Sequence, residues 1–214
     1  MKNIVKDTLI LFVITLVAGL GLGFVYNVTS DARAKQEEKT MAEAYEAVMP
    51  GLSSFEDVAY SVDEMNQKIS EEINQTEKEH GISTIKAYNA SINHVVKALD
   101  SDGKELGYIV TVTDSEAYDG SLQMTVGVKS DGTVTGISFL SLSETPGLGM
   151  KADEDSFKSQ FQDKKVDYFQ YNKSGASADN EISAISSATI TTNAVTHGVN
   201  AAIVCVKNIT GGGQ

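Results

Sequence analysis

From Thr8 to Tyr26 the chain runs for 19 residues without a charged side chain. Nothing else in the sequence constrains the molecule as much. A helix of about 20 apolar residues matches the hydrocarbon thickness of a bilayer. Backbone in lipid can satisfy its own polar groups only as a helix or a closed barrel, so a single run of this length predicts one membrane-spanning helix over residues 8–27. Lys2 and Lys6 precede it, while Arg33, Lys35 and Lys39 follow it among Asp31, Glu37 and Glu38. Basic residues therefore do not decide the orientation. Large following domains translocate largely regardless of charge, which predicts residues 1–7 in the cytoplasm and the C-terminal domain outside. The competing reading is a cleaved signal peptide, with Ala32-Arg33-Ala34 as the processing site. The apolar run exceeds the 7–15 residues usual for such peptides.

The rest of the 214 residues suits one globular domain. Seventeen basic and 29 acidic side chains give a formal charge of −12. That acidity argues against a nucleic-acid partner, because phosphate repels it, and against adhesion to anionic lipid. Cys205 is the single cysteine, which excludes an internal disulfide and a four-cysteine cluster. It reads as a small buried apolar residue. His80, His94 and His197 are scattered and show no metal-ligand spacing.

Residues 31–48 read as a charged, alanine-rich helix that Met49-Pro50-Gly51 ends. Residues 28–83 are expected to be a helical connector, with the polar stretch 55–80 a solvated helix or excursion. From residue 84 to 210 the pattern is that of a folded domain. Four β-rich runs, 92–99, 106–113, 122–128 and 134–142, are joined by short turns at 100–104 and 130–133, which predicts an antiparallel sheet. A short amphipathic helix is expected at 153–161, and a polar loop at 173–180. In the last element Ala188, Thr192, Val195, Val199, Ala202 and Val206 recur at helical spacing, and residues 211–214 form a glycine-rich tail. Strands in sequence with helices at the ends read as α+β.

Two segments carry chemistry. Ser186-Ser187-Ala188-Thr189 opens the last helix, where free N–H groups and the positive dipole end favour phosphate. Ser186 and Ser187 suit the cap position, and Thr189 offers an alcohol beside the apolar stripe. The second segment is Glu144-Thr145-Pro146-Gly147-Leu148-Gly149. There Gly147 and Gly149 permit close approach to a flat ligand, Leu148 gives an apolar contact and Thr145 a donor and acceptor. Lys151, just beyond, would stabilise a negative charge on such a ligand. Read by itself, Ser-Ser-Ala-Thr is most often an ordinary helix cap, and the Glu144–Gly149 loop can equally be a sharp strand-to-helix connection.

Taken together, the two segments resemble the FMN-binding domain family. Ser186-Ser187-Ala188-Thr189-Ile190-Thr191 is similar to its flavinylation motif, Asp-x-x-Ser/Thr-Gly-Ala-Thr, with Ser183 where Asp is usual and Ser187 where Gly is usual. Glu144 to Gly149 matches the family's other signature loop residue for residue. The resemblance spans most of residues 8–209. It is clearest to the G-type members from Rnf complexes, the ion-translocating ferredoxin:NAD oxidoreductases, with the C-type members from sodium-translocating NADH:quinone reductases close relatives. The resemblance implies FMN joined to Thr189 through a phosphoester, with Ser186, Ser187, Ala188, Glu144, Thr145, Gly147, Leu148, Gly149 and Lys151 around it. It implies a flavin transferase during maturation, partner membrane subunits, a role in electron transfer as part of a translocase, and a place in a bacterial or archaeal cell membrane. A cofactor-free interaction domain and a non-covalent flavin reductase are the alternatives from other classes.

Overall fold

The computed structural model describes residues 2–82 and 84–211. Ser83 and Gly212 to Gln214 lie outside the described residues, and with them most of the expected 211–214 tail. The chain divides into two units, Met1–Ala42 and Glu43–Gln214.

The first unit is a single helix. It belongs to α1, which runs unbroken from Lys2 to Val48, so the apolar run and the charged segment after it are one helix. Leu9, Phe12, Leu16, Leu20 and Phe24 all stand exposed. Their exposure is what a bilayer would cover, and α1 is long and apolar enough to cross one. The run from Thr8 to Tyr26 measures about 28 Å at 1.5 Å per residue. Its polar side chains fold back onto the helix. Thr8 Oγ1 donates to the Ile4 carbonyl at 2.9 Å, Thr15 Oγ1 to Leu11 at 3.0 Å and Thr29 Oγ1 to Val25 at 2.8 Å. Each bond hides a hydroxyl from an apolar surrounding. At the end of the run the Arg33 guanidinium lies over the Tyr26 ring, 4.1 Å from its centre.

The second unit is a sheet with helices on it. The sheet has six strands in sequence order: β1 (Ser54–Asp57), β2 (Ala90–Leu99), β3 (Glu105–Ala117), β4 (Gly120–Val128), β5 (Thr133–Ser141) and β6 (Lys164–Lys165). All neighbours are antiparallel. The four expected strands are the central four, and the α+β class holds. Two short edges add to them. β1 falls inside the polar stretch read as a connector, and its side chains are exposed, so the sequence there carries no alternating apolar signal.

Both faces of the sheet are covered, so residues 107 to 112 of β3 are buried without interruption. On one face Tyr45, Val48 and Met49, at and just past the end of α1, pack on Val96, Ala98 and Ile109. The Thr135 hydroxyl donates to the Val48 carbonyl and so satisfies one free group of the helix end. On the other face lies the main core, where Val95, Val110, Val112, Met124 and Val126 meet α4 (Thr189–Ile209).

The expected apolar stripe on α4 understates its burial: every residue from Thr191 to Val206 is buried. The sheet takes one side. The other is covered in part by α2 (Val62–His80), whose Ile69 and Ile73 enter the core. The polar stretch 55–80 is therefore a packed helix preceded by a strand, not an excursion. Around residues 153–161 the expected helix is broken into 3-10 turns at Gly149–Asp153 and Ser159–Phe161, with one turn of α-helix, α3 (Asp155–Lys158), between them. Phe161 sits edge-on to both Phe157 and Phe169, with ring centres 5.7 and 5.1 Å away. The polar loop 173–180 joins the short parallel strands β7 (Gln170–Asn172) and β8 (Glu181–Ser183).

A polar cluster is buried between β3 and α4. His197 Nε2 meets Glu77 Oε1 at 2.9 Å, and Asn193 Nδ2 lies 3.3 Å from His197 Nδ1. Asp114 is fully buried, accepts from the Glu116 N–H at 2.7 Å, and has its other oxygen unpartnered. Burial raises the Asp114 carboxyl above its usual range, against the opposing pull of the Glu116 N–H and of His197. Burial also raises the Tyr88 phenol, and the Asp114 charge adds to the effect. It pushes the Cys205 thiol up to about 12, which leaves no thiolate at neutral pH.

This packing makes two expectations about stability. A Cβ at Gly127 would overlap the Val48 carbonyl and the Thr135 hydroxyl. Gly127→Ala is expected to destabilise by about 1–3 kcal/mol, read as a lower urea midpoint. Asp114 binds its proton more tightly folded than unfolded, so its contribution is present below 3.8 and lost as pH rises through the raised folded value. Asp114→Asn keeps the acceptor for Glu116 N–H but has no proton to lose. The variant's urea midpoint, relative to the parent's, is expected to rise between pH 4 and pH 8; a constant difference would contradict the account.

Candidate functional site

A cavity of about 520 Å³ opens at the N-terminus of α4, well inside the ~300–1,000 Å³ common for cofactor pockets. Its walls come from four parts of the chain. Ser187, Ala188, Thr189, Ile190 and Thr191 form the helix end, and Glu144, Thr145, Leu148 and Gly149 come from the loop after β5. Tyr118, at the tip of the β3–β4 hairpin, and Ile85 complete the lining.

The loop is built around Glu144. Its side chain is buried, and Oε1 accepts the Tyr118 N–H at 3.0 Å, tying the loop to the hairpin tip. A Cβ on Gly149 would strike the Glu144 side chain. The glycine is thus needed to seat the glutamate, a constraint separate from the approach to a ligand expected from sequence. Gly147 has a left-handed φ of 77° with open space around it, which is a turn requirement. Leu148 N–H and Met150 N–H both reach the Thr145 carbonyl, at 3.1 and 3.3 Å. This leaves the Leu148 side chain exposed at the rim.

The helix end differs from expectation. Neither Ser186 nor Ser187 caps α4: Ala188 holds the cap position and no side chain bonds to the first turn. Ser187 instead has φ 63°, in the left-handed region. The turn needs that conformation to bring the chain from β8 into the helix, which explains in physical terms why glycine suits the position. With no cap and no acidic residue in the first turn, the N–H groups and the positive dipole end of the helix are not neutralised from within the helix. Thr189 is half-buried at its first helical position.

Seven of the ten residues singled out from sequence meet at the cavity: Glu144, Thr145, Leu148, Gly149, Ser187, Ala188 and Thr189. Gly147, Ser186 and Lys151 do not line it. Lys151 and Ser186 border a separate hollow of about 180 Å³ with Ser183 and Gln160. Ser183, at the position where the motif usually has Asp, accepts from Ala176 N–H at 2.9 Å and donates its own N–H to Gln160 at 2.7 Å. It pins the polar loop. Tyr118 and Ile85 were not foreseen, and Ile190 and Thr191 were seen only as the end of the Ser186–Thr191 motif, without a role of their own. An exposed aromatic at a two-residue hairpin tip was the one available signal for Tyr118.

Among the described residues no group of three or more His, Cys, Asp or Glu side chains is arranged to hold a metal ion.

A left-handed non-glycine residue carries about 1–2 kcal/mol of strain. Ser187→Gly is expected to raise the urea midpoint by the part of this that survives the greater unfolded-state entropy of glycine. Ser187→Val is expected to lower it. A glycine variant no more stable than the parent would mean that the turn is unstrained.

Comparison with known proteins agrees with this geometry. A family model described as the FMN-binding domain matches residues 117–204, a span that includes every cavity residue except Ile85. The G subunit of the Na⁺-translocating ferredoxin:NAD⁺ oxidoreductase complex of Acetobacterium woodii is 33% identical over 211 residues, 97% of this chain and 94% of its own. The proton-translocating counterpart in Clostridium ljungdahlii is 42% identical over 115 residues, 54% of this chain and 61% of its own. The C subunit of the Na⁺-translocating NADH-quinone reductase of Vibrio anguillarum is 29% identical over 150 residues, covering 65% of this chain and 56% of its own. The near full-length match to the Acetobacterium woodii protein places this chain in the family of G subunits of ion-translocating ferredoxin:NAD⁺ oxidoreductase complexes.

Proposed function

We propose that this chain is the membrane-anchored electron-transfer member of such a complex, holding FMN in the cavity at the N-terminus of α4 with its phosphate esterified to Thr189. The observation that carries the reading is the meeting of Thr189 with the Glu144–Gly149 loop across one cavity, at a helix end free of caps and acidic residues. The fit is supported from within the structure by Thr191, a residue of the cavity wall whose buried hydroxyl has no partner of its own.

Each wall has a task. The first-turn N–H groups of α4 receive the phosphate, and Thr189 Oγ1 is the point of attachment. Leu148, Ile85 and Ile190 offer apolar surface to a flat ring, Tyr118 an aromatic one, and Thr145 a hydroxyl. Glu144, through Tyr118 N–H, holds loop and hairpin at a fixed spacing, so that the ring's place is set before it binds. FMN supplies the redox chemistry when bound; the protein supplies position and electrostatics. Attachment would use FAD as donor and a flavin transferase with a divalent metal. Thr189 Oγ1 forms a bond to the FMN phosphorus, the anhydride bond of FAD breaks, AMP leaves, and the hydroxyl proton passes to the transferase site.

The apolar run of α1 is the membrane anchor, with residues 1–7 in the cytoplasm and the acidic domain outside. The partners are the other membrane subunits of the complex.

Co-production with a flavin transferase, followed by flavin fluorescence of the denatured protein on a gel, tests the attachment. The parent band is expected to fluoresce and the Thr189→Val band to be dark. A fluorescent Thr189→Val band would place the link elsewhere. A dark parent band from a yellow preparation would mean that the flavin is held without a bond.

A further inference from the structure

The hydroxyl of Thr191 is an exception in its helix. Buried threonines in a helix ordinarily donate to the carbonyl four residues back. Thr196 Oγ1 does so to Thr192 at 2.8 Å and Thr192 Oγ1 to Ala188 at 3.0 Å. Thr192 Oγ1 also accepts the Ile185 N–H at 3.0 Å. For Thr191 the corresponding carbonyl is that of Ser187. That residue precedes the cap in a left-handed turn, φ 63°, so its carbonyl is not held along the helix axis. The carbonyl one place on, Ala188, already takes both the N–H and the hydroxyl of Thr192. Thr191 Oγ1 is left buried and unpartnered, on a side chain with no exposure, in the wall that it shares with Thr189. A buried hydroxyl without a partner forfeits its hydration and gains nothing in return; what sets Thr191 apart from the other such groups is its place in the cavity wall.

We propose that Thr191 Oγ1 is a ligand-binding group, which donates a hydrogen bond to a phosphoryl oxygen of the FMN held at Thr189. The inference rests on the flavin site proposed above. The phosphate is the part of the ligand that must lie at the helix end, because Thr189 carries it. Side chains in a helix lean toward its N-terminus, which directs Thr191, in the first turn, to that same end. The left-handed Ser187 thus does two things. It turns the chain into the helix, and it removes the acceptor that would otherwise occupy the Thr191 hydroxyl.

The two states of the site give the test its sign. Valine has the shape of threonine without the hydroxyl. Thr191→Val is therefore expected to stabilise the flavin-free protein while weakening its hold on FMN by about tenfold or more, the usual cost of a hydrogen bond to a charged group. Thermal unfolding of the flavin-free full-length chain in detergent, followed by circular dichroism, reads both effects. It would be run without ligand, with FMN and with riboflavin, which lacks the phosphate. The expected pattern is a higher melting temperature for Thr191→Val alone, a smaller FMN-induced rise, and an unchanged response to riboflavin. Thr191→Ser is expected to keep the parent's FMN response. If the valine variant gives no cooperative transition, Thr191→Ala takes its place for the ligand comparison. Equal FMN responses in parent and variant would overturn the proposal, as would an equal loss toward riboflavin. A parent that responds to FMN while the variants respond alike sinks the Thr191 contact only; a parent blind to FMN sinks the flavin site, and the contact with it.

Discussion

The close approach of α4 to the sheet is the contact on which the site depends. A Cβ at Gly198 would collide with the Met124 terminal methyl. Ala194, Ala201 and Ala202 are likewise buried without residual exposure. Small side chains let the helix lie deep between the sheet and α2, where packing at interior density leaves little room for it to shift. Its N-terminal end is therefore held in place relative to the β3–β4 hairpin. The Glu144 carboxylate, hydrogen-bonded to Tyr118 N–H, then locks the second wall to the same hairpin tip. A cavity with walls fixed in this way loses little entropy when a ligand fills it.

Burial all round α4 brings a polar cost, and the structure meets it unevenly. Thr192, Thr196 and Asn200 are fully employed. Asn200 bridges Phe169, donating to its carbonyl at 2.9 Å and accepting its N–H at 2.7 Å. Asp114, Tyr88, Asn193 and Thr191 each keep an unpartnered atom. Thr191 belongs to the cavity wall, whereas the other three belong with His197 and Glu77 to the enclosed cluster between β3, α4 and α2. One idle hydroxyl thus sits in the cavity wall, and the other idle atoms sit in a cluster whose carboxyl, that of Asp114, burial raises above its usual range.

The sheet and the two signature segments were legible because each is local. Alternating Leu122, Met124, Val126 and Val128 reads as a strand whatever surrounds it, and Asp-Gly turns fix its neighbours. What sequence could not supply depended on packing between distant segments. β1 has exposed side chains and forms because β2 offers it an edge. α2 reads as solvated since only Ile69 and Ile73 enter the core, its remaining surface serving as the outer wall over α4. Ser187 looks like a cap by residue type, yet backbone geometry makes it a left-handed turn. Lys151 is near the loop in sequence but faces another hollow, because the 3-10 turn Gly149–Asp153 carries it past the cavity. The role of Gly149 was hidden for the same reason: it answers to Glu144, and only the folded loop brings their side-chain space together.

An anion has to be kept on a surface of its own sign. The protein carries a formal charge of −12, which opposes the approach of a phosphate at long range. Fields from exposed charges fade beyond about 8 Å at physiological salt, so at contact the local groups decide. There the helix end supplies N–H donors and roughly half a positive charge, with no acidic side chain in its first turn and the cationic Lys151 turned elsewhere. These are modest attractions. They suffice to bind a phosphate reversibly, and a second anchor makes that hold permanent. In the proposed arrangement the bond to Thr189 is that anchor. It makes retention independent of affinity, so the cavity is free to be shaped for placing the ring rather than for gripping it. An open rim with exposed Leu148 and Tyr118 fits such a division of labour, since a ring that passes electrons to a partner has to remain within its reach.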